Sequence, residues 1–97
     1  MKRDFNTAIL NLEGLPFEDN ATLKTVSLIA LTTPLTGDDQ LSLPEKLDFY
    51  LLAQKLCRGG ILDITSEEIS ILKARIGLAF NHVVVIGRAF DLLESDQ

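Results

Sequence analysis

One cysteine, one histidine, one methionine and no tryptophan occur among the 97 residues, and each scarcity removes a class of chemistry. A single thiol, Cys57, permits no internal disulfide, which suits a reducing compartment. One Cys and one His cannot close a tetrahedral zinc site without carboxylate help. No phosphate-cradling glycine loop is present, because "RGG" (58–60) and "LEG" (12–14) have neither the spacing nor a following Lys-Ser/Thr. The apolar runs are far too short to span a bilayer. The opening "MKRDFNTAILNLEG" has no apolar core of signal-peptide length, since Asp4, Asn6 and Asn11 interrupt it. A cytoplasmic protein with no membrane association and no cofactor is expected.

Positive charge is also in short supply. Nine Lys and Arg against 14 Asp and Glu leave a net charge of −5. The basic residues are scattered, with only Lys2–Arg3 and Lys55–Arg58 close in sequence. A general phosphate-binding surface needs clustered Lys and Arg, so direct nucleic-acid binding is disfavoured. The acids are equally dispersed, the adjacent pairs being Glu18–Asp19, Asp38–Asp39 and Glu67–Glu68.

What remains is an ordinary globular composition, 46% apolar and 24% charged, in a chain of single-domain length. A chain of this size buries roughly 60–65% of its unfolded surface, enough to fold alone with little excess stability. Residues 5–17, "FNTAILNLEGLPF", read as a β-hairpin. Ala8, Leu10 and Leu12 alternate with Thr7, Ile9 and Asn11. Glu13-Gly14 supplies the turn, and Pro16 suits an edge.

Four helices follow. Residues 22–33 form the first, capped by Thr22, apolar around most of its circumference from Val26 to Leu31 and therefore central. Pro34 ends it. The second, 43–58, opens with the capping-box spacing of Ser42 and Glu45 and stops at Gly59-Gly60. It carries two stripes, one of Leu47, Tyr50, Leu51 and Gln54 and one of Phe49, Leu52, Ala53 and Leu56. The third, 66–80, repeats the box with Thr65 and Glu68, and Ile69, Leu72, Ile76, Ala79 and Phe80 follow helical spacing. The stretch "NHVVVIGRAF" (81–90) admits a buried strand or a helix. Val83, Ile86, Ala89, Phe90 and Leu93 share one helical face, so a fourth helix, 82–95, is expected, with Asn81 as its cap. Gly87 inside it predicts close approach by a neighbouring backbone. The fold expected is α+β, mainly α: an N-terminal β-hairpin packed on a bundle of about four short helices.

Several of these stretches resemble a group of small proteins encoded by tailed bacteriophages and prophages. The carriers are "KRDFN", "LNLEG", "LSLPEK", "LDITSEEISILKARIG" and the closing "VVVIGRAFDLLE", which together cover nearly the whole chain. The chain departs from the group in having "LPEK" at the first capping box and "NHV" before the last helix. The resemblance implies a phage origin and a role inside an infected bacterium. It implies no functional residue.

Candidate chemistry is thin. A nucleophile–base pair would have to be Cys57 with His82, meeting across two helices. Cys57 near a helix end reads better as a small buried or half-buried hydrophobe, and His82 as a neutral surface residue in a first helical turn. "TGDDQLS" (36–42) lacks the alternating ligands and final Glu of a calcium loop and reads as a hydrated turn capped by Ser42. Adjacent Glu67 and Glu68 point in different directions, so they make no acid–base pair. No catalytic, metal or cofactor residue is therefore assigned, and the protein is expected not to be an enzyme.

Apolar surplus points instead to contacts. Ile71, Val84, Val85 and Leu92 lie off the main stripes of their helices and are the candidate partner-binding residues, for another protein or a second copy, unless the hairpin roofs them. Protein–protein contact in virion (tail) assembly or with a host protein is the expected role. A nucleic-acid-related regulator or acidic DNA mimic is the alternative, although no helix is basic enough for recognition.

Overall fold

Two tripeptides far apart in sequence make the ladder that ties the N-terminal segment to the link between the second and third helices. The computed structural model describes residues 1–35 and 37–95. Strand β1 (Lys2–Asp4) pairs antiparallel with β2 (Ile61–Asp63), with Lys2 opposite Asp63, Arg3 opposite Leu62 and Asp4 opposite Ile61. The remaining elements are helices α1 (Leu23–Thr32), α2 (Leu43–Leu56), α3 (Ser66–Ala79) and α4 (Val83–Glu94), with a short 3-10 turn at Asp38–Gln40. The class is α+β, mainly helical, with an N-terminal two-stranded antiparallel sheet.

The strands do not fall within residues 5–17. There the chain does reverse at Glu13-Gly14, with the Asn11 amide donating to the Leu15 carbonyl (2.8 Å) and a single bridge between Leu10 and Pro16. It goes no further as a ladder. The Asn11 side chain takes the amides of Glu13 and Leu15, and Pro16 has no amide to give. A second bridge, Ala8 to Thr22, carries the chain into α1. The residues that enter the core here are Phe5 and Ile9, while Leu12 at the tip is 80% exposed.

Helix α1 is central, packing against α2, α3 and α4. The Thr22 hydroxyl accepts from the Thr25 amide, and Leu23, Val26, Ala30 and Leu31 are buried. Ser27 is buried among them with its hydroxyl unpaired among the described residues. Both expected capping boxes form, Ser42 with Glu45 and Thr65 with Glu68. Leu52, Ala53 and Leu56 from α2 and Ile69, Leu72 and Ile76 from α3 complete the core. Gly59 and Gly60 adopt positive φ and turn the chain from α2 into β2.

Residues 83–94 are helical, as their spacing predicts, but the helix sits differently. His82 occupies the N-cap without a side-chain hydrogen bond, so Asn81 is not the cap. Val83 is 77% exposed rather than part of the core stripe. The inward face centres on Ala89 and Leu93, flanked by Val85, Ile86, Phe90 and Leu92. Val83 is the first residue of α4, at the open end of the helix. Gly87 is exposed with open space where a Cβ would go, so no neighbouring backbone requires it. Replacing Gly87 with Ala is expected to raise the unfolding free energy by about 0.5–1 kcal/mol, and Gly77→Ala, in equally open helical surroundings, by a similar amount. Urea titration of the single and double variants checks this, with additive gains expected for separate sites.

Candidate functional site

Of the two stripes on α2, the fold uses one. Phe49, Leu52, Ala53 and Leu56 face the core. The other stripe faces solvent, with Leu43 68%, Leu47 50%, Tyr50 57% and Leu51 59% exposed. Isolated exposed leucines are normal on a protein surface, but four large apolar side chains aligned on one helix form a continuous patch. Gln54, which donates to the Tyr50 hydroxyl (3.0 Å), continues the stripe, and exposed Cys57 at the helix end extends it. Cys57 is thus not the buried or half-buried hydrophobe expected, because the fold turns its face of α2 outward.

Beside Tyr50 the patch opens into a cleft of about 530 Å³ between the end of α1, the 3-10 turn and α2. Leu31, Leu41, Phe49 and Ala53 line it on the apolar side, and Arg75 from α3 forms a wall. Arg75 is buried, and four of its five N–H donors are occupied. Nε donates to the Ala30 carbonyl (3.1 Å), Nη1 to Asp38 Oδ1 (2.6 Å), and Nη2 to the Thr33 carbonyl and Asp38 Oδ2 (both 3.2 Å). The guanidinium also lies over the Phe49 ring, 4.9 Å from its centre. It therefore caps the carbonyl end of α1, which has no basic residue of its own in its last turn. The hydrogen bond from Arg75, with a second from the Leu35 amide, holds Asp38 below the usual carboxylate range. Asp38 is consequently an ion-pair partner and not part of a merely hydrated turn. The cleft offers an apolar floor and the Arg75–Asp38 ion pair, with Asp39 and Lys46 also on its lining.

A second buried arginine repeats the device. Arg3 Nε donates to the Leu93 carbonyl in the last turn of α4, again a turn with no basic residue. Arg88 donates to the Asn11 carbonyl (2.9 Å), fastening the N-terminal loop to α4. Lys55 pairs with Glu68 (3.0 Å) and Lys73 with Glu94 (2.7 Å). Five of the nine basic side chains are thereby committed to the fold, which leaves Lys2, Lys24, Lys46 and Arg58.

The residues singled out from sequence are dispersed. Ile71, Val85 and Leu92 are half-buried against the core. Val84 is half-buried in a shallow groove with Leu12, Val83 and Gly87. They are half-buried, whereas α2 carries more of the exposed large apolar side chains than any other element, with the rest spread over the N-terminal segment, α1, β2, α3 and α4. The sequence signal for the exposed face of α2 was the stripe of Leu47, Tyr50, Leu51 and Gln54, which lacked only the knowledge of which stripe α1 and α3 would cover. His82 meets Phe17 edge-on, with ring centres 5.4 Å apart. No hydrogen bond among the described residues joins it to Cys57. Glu68 is held in its cap and by Lys55, whereas Glu67 is exposed. Among the described residues, no group of three or more His, Cys, Asp or Glu is placed to hold a metal ion, and no helix is long and apolar enough to cross a membrane. Comparison with protein-family models, curated proteins and solved structures finds no match to this chain.

Proposed function

We propose that this protein acts by binding another polypeptide through the outward face of α2, and not by catalysing a reaction. The observation that supports it is the row of Leu43, Leu47, Tyr50 and Leu51 left open to water in a domain too small to waste apolar area. The adjoining cleft at Phe49 and Tyr50 gives such a partner a place to seat an apolar anchor, the arrangement that concentrates binding energy at interfaces. On the resemblance to phage-encoded small proteins, the proposed setting is an infected bacterium, with tail assembly or capture of a host protein as the role.

Leu47→Asp tests the reading. The side chain is half exposed and outside the core, so thermal unfolding should change little. A partner retained by the wild-type protein in pull-downs from infected cells should be lost. Retention of the same partner by Leu47→Asp and by Leu51→Asp, with both proteins folded, would refute a role for α2. Retention of nucleic acid alone would favour the regulator reading instead.

A further inference from the structure

The pattern of the open stripe goes beyond general stickiness. Leu43, Leu47, Tyr50, Gln54 and Cys57 follow at intervals of four, three, four and three, the spacing at which one helix presents a seam to another. Leu51 lies beside the middle of that seam, and Leu43, Leu47, Tyr50 and Leu51 are all half or more exposed. No charged side chain interrupts the seam itself. Such a row is filled best by a second helix carrying the same spacing.

Charge decides which helix and in which direction. The acids of α2 are in its first half, Glu45 and Asp48, with Lys55 in its last turn and Arg58 just past its C-cap. Lys46 is the exception and lies on the opposite border of the seam from Asp48 and Lys55. A parallel pair of α2 helices would set Lys55 and Arg58 against their own copies. An antiparallel pair with its two-fold between Tyr50 and Leu51 sets Leu47 against Gln54 of the other copy and Tyr50 against Leu51. It also brings Asp48 to the Lys55 of the second copy. Lys55 already holds Glu68 at 3.0 Å and would then lie between two carboxylates. The stem of Arg58, which has no ion-pair partner among the described residues, would cover Leu43. The two helix dipoles would oppose head to tail, which is also favourable.

We infer that α2 pairs antiparallel with α2 of a second copy of this chain, an isologous contact across a two-fold axis. The inference rests on the reading of α2 as the binding face and names its occupant. A seam of only four helical turns is at the small end of specific interfaces, so the pair should dissociate on dilution.

Sedimentation equilibrium of the full chain tests it. The expected mass approaches twice 10.7 kDa at high concentration and falls toward the monomer on dilution. Leu47→Asp should weaken the pairing roughly tenfold to a hundredfold, with the circular-dichroism spectrum unchanged. Orientation is read by cross-linking in a Cys57→Ser background. Leu47→Cys combined with Gln54→Cys should give a covalent dimer on mild oxidation, because the two positions are too far apart within one helix to bridge. Rapid disulfide dimerisation of the wild-type protein through Cys57, without the 47–54 cross-link, would overturn the antiparallel arrangement in favour of a parallel one. A monomer at every concentration would overturn self-pairing. If Leu47→Asp then still abolished capture of a partner, the binding face would stand with a different occupant. A dimer indifferent to Leu47→Asp would place the pairing elsewhere and overturn the inference.

Discussion

Arg75→Ala is expected to lower the unfolding free energy by about 3–5 kcal/mol, a large share of what a domain of this size holds. The substitution removes four hydrogen bonds at once. It leaves the Ala30 and Thr33 carbonyls without their donor at the end of α1, and it strips the cover from Phe49. Unpaired buried acceptors and a broken ion pair are among the few mechanisms that produce losses of this size. Two milder variants separate the contributions. Arg75→Lys keeps the charge but cannot reproduce a planar fork that reaches two carbonyls and a carboxylate, so it should fall between wild type and Ala. Arg75→Met keeps much of the apolar stem but no donor. Guanidinium titration at unchanged m-value gives the order. A Met variant as stable as the wild type would show that the capping bonds contribute nothing net, as happens when apolar packing replaces a buried ion pair.

The same contact predicts the acid limb of stability. Asp38 is held below its ordinary value of 3.8 by the hydrogen bond from Arg75 and then by the Leu35 amide, with burial opposing. For Glu68, burial pushes upward but is outweighed by hydrogen bonds from Thr65 and Lys55, so it too lies below its ordinary 4.5. Both folded values are depressed. Each group's contribution is therefore complete above its ordinary value and is lost as pH falls through its folded value. Stability should begin to decline below pH of about 4.5, and the part of that slope owed to Asp38 should shrink in Arg75→Met, where the Leu35 amide still holds the carboxylate.

These two arginines also show where the sequence is silent. Helix positions, both capping boxes and the central place of α1 follow from local rules, because caps and periodicity act within a few residues. Arg3 and Arg75, counted by sequence as dispersed surface charges, are buried helix-end caps. Each caps a helix of which it is not part, across 90 and 45 positions of chain, a distance over which no local pattern speaks. The β1–β2 ladder is hidden for the same reason. Lys2–Asp4 and Ile61–Asp63 are three residues each, too short to alternate visibly. The candidate site was half legible. Helical spacing separates the two stripes of α2, but only the tertiary arrangement decides which is covered. On α4, spacing alone puts Val85 and Leu92 off the core stripe and Val83 on it, whereas Val85 and Leu92 are half-buried against the core and Val83 is exposed.

Phe5→Ala is expected to cost about 3–5 kcal/mol, whereas Leu12→Ala, seven positions on in the same N-terminal segment, is expected to change stability little. The contrast follows from where the segment is tied. Phe5 donates its amide to the Gly60 carbonyl (2.9 Å) and accepts from the Lys24 amide (2.8 Å), so its backbone joins the end of β1 to both the α2–β2 turn and the first turn of α1. Its ring is fully buried in the common core with Leu23, Leu56 and Ile64. Truncation leaves a cavity whose walls belong to separate elements, and these cannot all relax inward together. Leu12 is mostly in water at the loop tip, so its methyl groups have little burial to lose. Phe5→Leu supplies a milder version that keeps enough folded protein to titrate. A loss of about 1 kcal/mol with a retained cooperative transition is expected for a smaller apolar side chain in the same site. Equal effects at positions 5 and 12 would mean that the segment is a peripheral arm. A large loss at 5 and none at 12 makes it the wall that closes the core.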